Sequence, residues 1–176
     1  MIKTLIFIFL FLFIQTTNAQ VLRDSIRIKL IEAINKQLDV REVGGSNKGP
    51  MVEKYQKEVG AKTGDPWCGA FVGSNLTWLG IINPHSAWSP DYAKPEDVIW
   101  TPKKPNNTPL GGDVVTYYYP NLGRVGHVGF LEKTDMDGYF ITIEGNTNGA
   151  GSREGDGVYK KKRDPNKVNA VSRYIK

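Results

Sequence analysis

The sequence predicts an α+β domain in which helices come first and an antiparallel sheet follows and packs on them. Three observations carry this. Apolar residues recur at helical spacing between Val21 and Leu79, and six prolines between Ile81 and Pro109 bar long helices and central strands. From Gly112 onward, short runs of β-branched and aromatic residues are punctuated by Gly, Asn and Asp.

The first nineteen residues read as a separate instruction. Lys3, an apolar run from Leu5 to Ile14, and Thr17-Asn18-Ala19 before Gln20 form the pattern of a cleavable export signal over 1–19. The run is short for a membrane span, and no cysteine stands at the cleavage point to take a lipid, so no stable membrane anchor is expected. The remainder, 20–176, has the length of one domain and is expected in the periplasm or outside the cell. The whole chain carries +5 and loses Lys3 with the leader, which leaves a modest basic excess suited to an anionic wall polymer or envelope surface. No nucleic-acid-binding motif, internal repeat or low-complexity tract is present.

Ile26, Leu30, Ile34 and Leu38 line one face of a helix over Val21 to Leu38. Gly44-Gly45-Ser46-Asn47 breaks the pattern, and Pro50 opens a second helix with Val52, Tyr55 and Val59 on its stripe, stopped by Gly60. Asp65 as N-cap and Pro66 at the first position predict a third helix, continued by Phe71, Val72, Leu76 and Leu79 and closed near Gly80. In the proline-rich stretch, Trp88, Tyr92 and Trp100 supply apolar surface for packing, with one helical turn around Pro95 to Val98. Strands are predicted at Asp113 to Tyr119, Val125 to Glu132, Tyr139 to Glu144, Val158 to Lys162 and Val168 to Ile175. Lys160-Lys161-Lys162-Arg163 reads as a solvated charge run, or one that leans toward anionic glycans.

The single cysteine, Cys68, sits at the start of the third helix, where unpaired N–H groups and the helix dipole favour a thiolate. It cannot form an internal disulfide, so in an oxidising compartment it is either buried as a small core residue or used chemically. A nucleophilic thiol needs a base. His85, in Asn83-Pro84-His85-Ser86, has no strand or helix to fix its ring, whereas His127 lies in the strand Gly126-His127-Val128-Gly129-Phe130 between small residues. Glu144 and Asn146, two apart in the next strand, share a face. An even-numbered hairpin loop through Lys133 to Gly138, centred on Asp137-Gly138, puts His127 on that face too and turns Val128, Phe130, Ile141 and Ile143 to the core.

A cysteine at a helix start, then Gly-His-Val-Gly-Phe, then Ile-Glu-Gly-Asn resembles the CHAP group of cysteine amidohydrolases and peptidases, within the papain-like NlpC superfamily. Glu42-Val43-Gly44-Gly45, Asp65-Pro66-Trp67-Cys68, Gly112-Asp113-Val114-Val115 and Gly155-Asp156-Gly157-Val158-Tyr159 extend the resemblance over most of 20–176. It implies a papain-like fold, with Cys68 as nucleophile, His127 as base, Glu144 as the acid that orients it and Asn146 as accessory amide. It also implies that the substrate is peptidoglycan or its peptide fragments, cut at the glycan–peptide amide or within the peptides. The backbone N–H of Cys68 is the expected oxyanion donor. Trp67, Asn47 and Trp88 are candidate lining residues of the substrate cleft. No cofactor and no metal are expected: the acidic cluster that binds calcium in some phage members is represented here by Asp65 alone. An inhibitor or immunity protein is a conceivable partner that the sequence does not specify. The rival readings are a non-catalytic wall-binding protein on the same scaffold, and an enzyme acting on protein or small peptides.

Overall fold

In the computed structural model, residues 2–176 are described, those from 18 onward with their side chains. Most of the expected leader therefore lies outside the residues described with side chains, although the backbone of the first helix, α1 (Ile2–Asn35), runs through it. Among the described residues no helix is long and apolar enough to cross a membrane. Two further helices, α2 (Pro50–Glu58) and α3 (Cys68–Trp78), precede six strands: β1 (Val98–Trp100), β2 (Val114–Tyr119), β3 (Arg124–Thr134), β4 (Phe140–Thr147), β5 (Gly157–Arg163) and β6 (Ala170–Ser172). They form one sheet in the order β1-β6-β2-β3-β4-β5, and every neighbouring pair is antiparallel. The chain is thus α+β, with its helices ahead of its sheet, consistent with a papain-like fold.

The helices form where the apolar spacing places them. Leu30 and Ile34 of α1 are fully buried, as are Val52 and Tyr55 of α2, where Pro50 stands in the first turn and Gly60 at φ +72° ends the run. The third helix differs from expectation at its start. Asp65 does not cap it; its carboxylate instead accepts from the Lys62 N–H at 2.9 Å and closes a separate turn, so the helix begins at Cys68 with Trp67 at its N-cap. Every residue of α3 from Cys68 to Leu76 is buried, because the sheet covers one side and the segment from Ser86 to Tyr92 crosses the other. Gly69 permits that crossing, since a Cβ there would run into the Ala87 carbonyl.

The core has two parts. Beneath α3, Tyr55 stacks on Trp67 at 5.8 Å between ring centres and meets Phe71 edge-on at 5.5 Å, and Phe71 in turn meets Phe130 of β3 at 5.9 Å. A second cluster of Val115, Tyr117, Leu131, Phe140, Val168 and Val171 is closed by Ile99 and Trp100 of β1. The proline-rich stretch is largely loop as expected. Its hydrogen-bonded turn falls at 94–98, but it also carries a 3₁₀ turn at Ser89–Ala93, opened by Pro90, and the edge strand β1. Three residues at a sheet edge give too short a run to read from sequence.

Candidate active site

Cys68 is the first residue of α3 and is 95 % buried. The first bond within this part of the chain joins the Phe71 N–H to the Trp67 carbonyl at 2.8 Å, so the N–H of Cys68 belongs to the free donors of the helix start.

His127 of β3 and Glu144 of β4 are completely buried, and Nε2 of the ring lies 3.0 Å from Oε2 of the carboxylate. The register explains how they meet. Phe130 pairs with Ile143, which sets Gly129 opposite Glu144 and leaves His127 as its diagonal neighbour on the same face. Gly129 makes the diagonal passable. A Cβ there would sit 2.5 Å from the Glu144 Cγ, so only glycine lets the carboxylate lie across β3 to the ring. The expected parity is present, but not through an even loop. The connection closes with the Asp135 N–H on the Tyr139 carbonyl at 2.9 Å, an odd loop, and a register shift between Leu131 and Lys133 restores the side on which Glu144 emerges.

Three side chains that the motifs do not mark complete the carboxylate's shell. On Oε1 it accepts from the Tyr117 hydroxyl at 2.9 Å, the Thr142 hydroxyl at 2.6 Å and Arg163 Nε at 2.8 Å, and on Oε2 from a second Arg163 nitrogen as well as facing His127. Arg163 lies at the end of the basic run that reads as solvated. Lys160 reaches Glu132, Lys161 the carbonyls of Asn148 and Gly149, and Lys162 Asp135. The run is a row of anchors. The period-2 alternation of β5, against the buried β4, was the available signal for Arg163.

Burial alone would push the Glu144 carboxyl up and the His127 ring down. Both move the other way. The Arg163 and His127 partners hold Glu144 well below the usual carboxylate range, and the Cys68 thiol with Glu144 pushes His127 up to about 9. The ring's second nitrogen, Nδ1, is buried and has no hydrogen-bond partner within bonding geometry, while the Cys68 sulfur is near enough to act on the ring. One nitrogen is therefore held and the other is left for the thiol.

Asn146 goes elsewhere than the parity reading expects. The β4–β5 register shifts between Glu144 and Thr147, and Asn146 adopts φ +56°, so alternation stops and its side chain turns to the helix start. Its carboxamide fits its neighbours with Oδ1 accepting from the Trp67 N–H at 3.1 Å and Nδ2 donating to the Gly155 carbonyl at 3.0 Å and to Asn47 Oδ1 at 3.3 Å. The amide occupies the Trp67 N–H and leaves that of Cys68 as the next donor along. Trp67 is fully buried, its indole N–H donating to Glu42 at 2.9 Å, and thus belongs to the core rather than to a cleft wall. Asn47, at φ +58°, does line a cavity of about 290 Å³ with Glu42, Asn146, Asn148, Glu154 and Asp156. Trp88 is half-exposed, with the Arg124 guanidinium 3.9 Å from its ring centre. His85 is a loop residue at φ +52°, 3.8 Å from Glu58 and apart from the site. Among the described residues no three His, Cys, Asp or Glu side chains group so as to hold a metal ion. A larger groove of about 590 Å³, lined by Ile26, Leu79, Ile82, Lys94 and Tyr174, includes none of the site residues.

Comparison with protein families matches residues 60–146, which include Cys68, His127, Glu144 and Asn146, to the CHAP domain. Neither the curated proteins nor the solved structures return a match.

Proposed function

We propose that this chain, which belongs to the CHAP domain family of amidohydrolases and peptidases, hydrolyses an amide bond of peptidoglycan with Cys68 as nucleophile. The observation that carries the reading is the His127 ring, fixed at Nε2 by Glu144 and unpartnered at Nδ1 beside the only thiol.

In this mechanism Cys68 attacks the amide carbonyl as a thiolate paired with the protonated ring. The oxygen of the tetrahedral intermediate takes up the Cys68 N–H, which the helix leaves free. His127 gives its Nδ1 proton to the leaving amine, then takes one from the water that resolves the thioester. Glu144 keeps the Nε2 proton in place through both steps and stabilises the imidazolium. Asn146 acts on the helix start through the Trp67 N–H, and so on the placement of the oxyanion donor. Support for a wall substrate comes from the family's usual chemistry, the leader-like segment at 1–19 and the basic excess. We place the enzyme outside the cytoplasm on the same grounds.

Purified peptidoglycan incubated with the protein is expected to release new amines, and mass spectrometry of the fragments identifies the bond. Whole stem peptides indicate cleavage at the glycan, and peptide stubs left on glycan indicate endopeptidase action. Cys68→Ala is expected to release none. Release from soluble peptides with none from peptidoglycan would move the substrate to proteins or small peptides.

A further inference from the structure

We propose that Arg163 is a positioning residue of this site, holding the Oε2 end of the Glu144 carboxylate against the His127 ring. The inference rests on the reading of Cys68 and His127 given above and concerns a residue outside the segment that matches the family.

Tyr117 and Thr142 both donate to Oε1 and together fix only that atom. With those two bonds alone the carboxylate is free to pivot about Oε1 and swing Oε2 away from the ring. The Arg163 fork removes that freedom because it spans both oxygens, Nε to Oε1 and the second nitrogen to Oε2. Arg163 is itself held. Its guanidinium lies 5.0 Å from the Tyr117 ring centre, and the 148–152 loop closes over it so tightly that a Cβ on Gly151 would sit 2.9 Å from its Nη1.

The fork also sets the balance of charge. His127 on β3, Tyr117 on β2 and Arg163 on β5 surround Glu144, Cys68 on α3 faces His127 from its other side, Lys161 stands beside Arg163, and Arg153 acts on Tyr119 farther out. With Arg163 present, a thiolate and imidazolium form beside a compensated carboxylate. Without it, the uncompensated carboxylate disfavours the thiolate and binds the ring proton more tightly, so both limbs of the reactivity profile move to higher pH.

The test uses Cys68 alkylation by iodoacetamide from pH 5 to 10 alongside peptidoglycan turnover, with Arg163→Gln and Arg163→Lys. In folded Arg163→Gln the limbs of the alkylation profile are expected to move up by about one pH unit, and kcat to fall about ten- to a hundredfold with KM within a factor of about two. Arg163→Lys keeps the charge and loses the fork; its alkylation profile is expected to stay near that of the wild type while kcat recovers only in part. An unshifted profile and full kcat in folded Arg163→Gln overturn the inference. If the Gln variant does not fold, the Lys variant decides, and full kcat there overturns it. A wild-type thiol with no more reactivity at pH 6 than after denaturation overturns the Cys68–His127 reading and this inference together; a reactive wild-type thiol with an unchanged Gln variant overturns this inference alone.

Discussion

Two buried carboxylates organise this molecule, and they differ in one respect. Asp113 accepts from Arg27 at 2.9 Å, from two nitrogens of Arg173 at 3.1 and 2.7 Å and from the Leu110 N–H at 2.8 Å, tying α1 and the chain end to the start of β2. Glu144 is gripped as fully, by Arg163, Tyr117 and Thr142, and yet also faces His127. Asp113's charged partners are two arginines, a residue type that keeps its proton and so offers neither an acid nor a base to a reaction. Glu144 has a partner that titrates and whose far nitrogen is unoccupied. Burial of a charged network therefore does not mark a site. An unspent valence within it does.

One substitution in each region, at the thiol served by the Glu144–His127 pair and at Asp113, separates the two roles. Cys68→Ala is expected to lower amide hydrolysis by roughly 10⁴-fold or more with the fold intact, measured as amine release against far-UV dichroism. Asp113→Asn is expected to do the reverse, costing about 3–5 kcal/mol in urea unfolding by leaving two arginines without their carboxylate, with turnover per folded molecule retained. A large turnover loss in folded Asp113→Asn would erase the distinction.

The titratable partner gives the third test. His127 is raised from 6.5 to about 9, so the stability it contributes is complete below about pH 6.5 and is lost as pH rises through 9, on the order of 3 kcal/mol. Glu144, held low, supplies the opposite limb, complete above about pH 4.5 and lost as pH falls. Melting curves from pH 6 to 10 should decline in the wild type and flatten in His127→Gln. The smallest effect sharpens the geometry. Gly129→Ala sets a methyl 2.5 Å from the Glu144 Cγ and should cost about 1–3 kcal/mol, with hydrolysis falling further than stability because the carboxylate is displaced from the ring.

Much of this was legible in sequence. The order of helices and strands and the helix-borne thiol follow from local periodicity and turn residues, which act over a few residues. What was not legible depended on compensation. An odd loop and a register shift between Leu131 and Lys133 cancel, so the right face was reached through a turn that does not exist. The left-handed backbone at Asn146 is a second irregularity, and nothing cancels it, so period-2 reading fails there. Arg163 was hidden for another reason. A run of four cations reads as one solvated patch, and only the folded contacts with Glu132, the Asn148 and Gly149 carbonyls, Asp135 and Glu144 give each its own partner.

That run has an effect beyond its anchors. β5 is the outermost strand of the sheet; the 40–42 segment covers the start of its outer edge through an Arg41–Gly157 bridge, and beyond that an open strand edge invites another chain to continue the ladder. Two copies aligned edge to edge along β5 would bring cation against cation from Lys160 to Arg163. One run thus does two jobs: Arg163 turns inward to the acid–base pair, while the exposed Lys160 and Lys162 blunt the edge against a further strand.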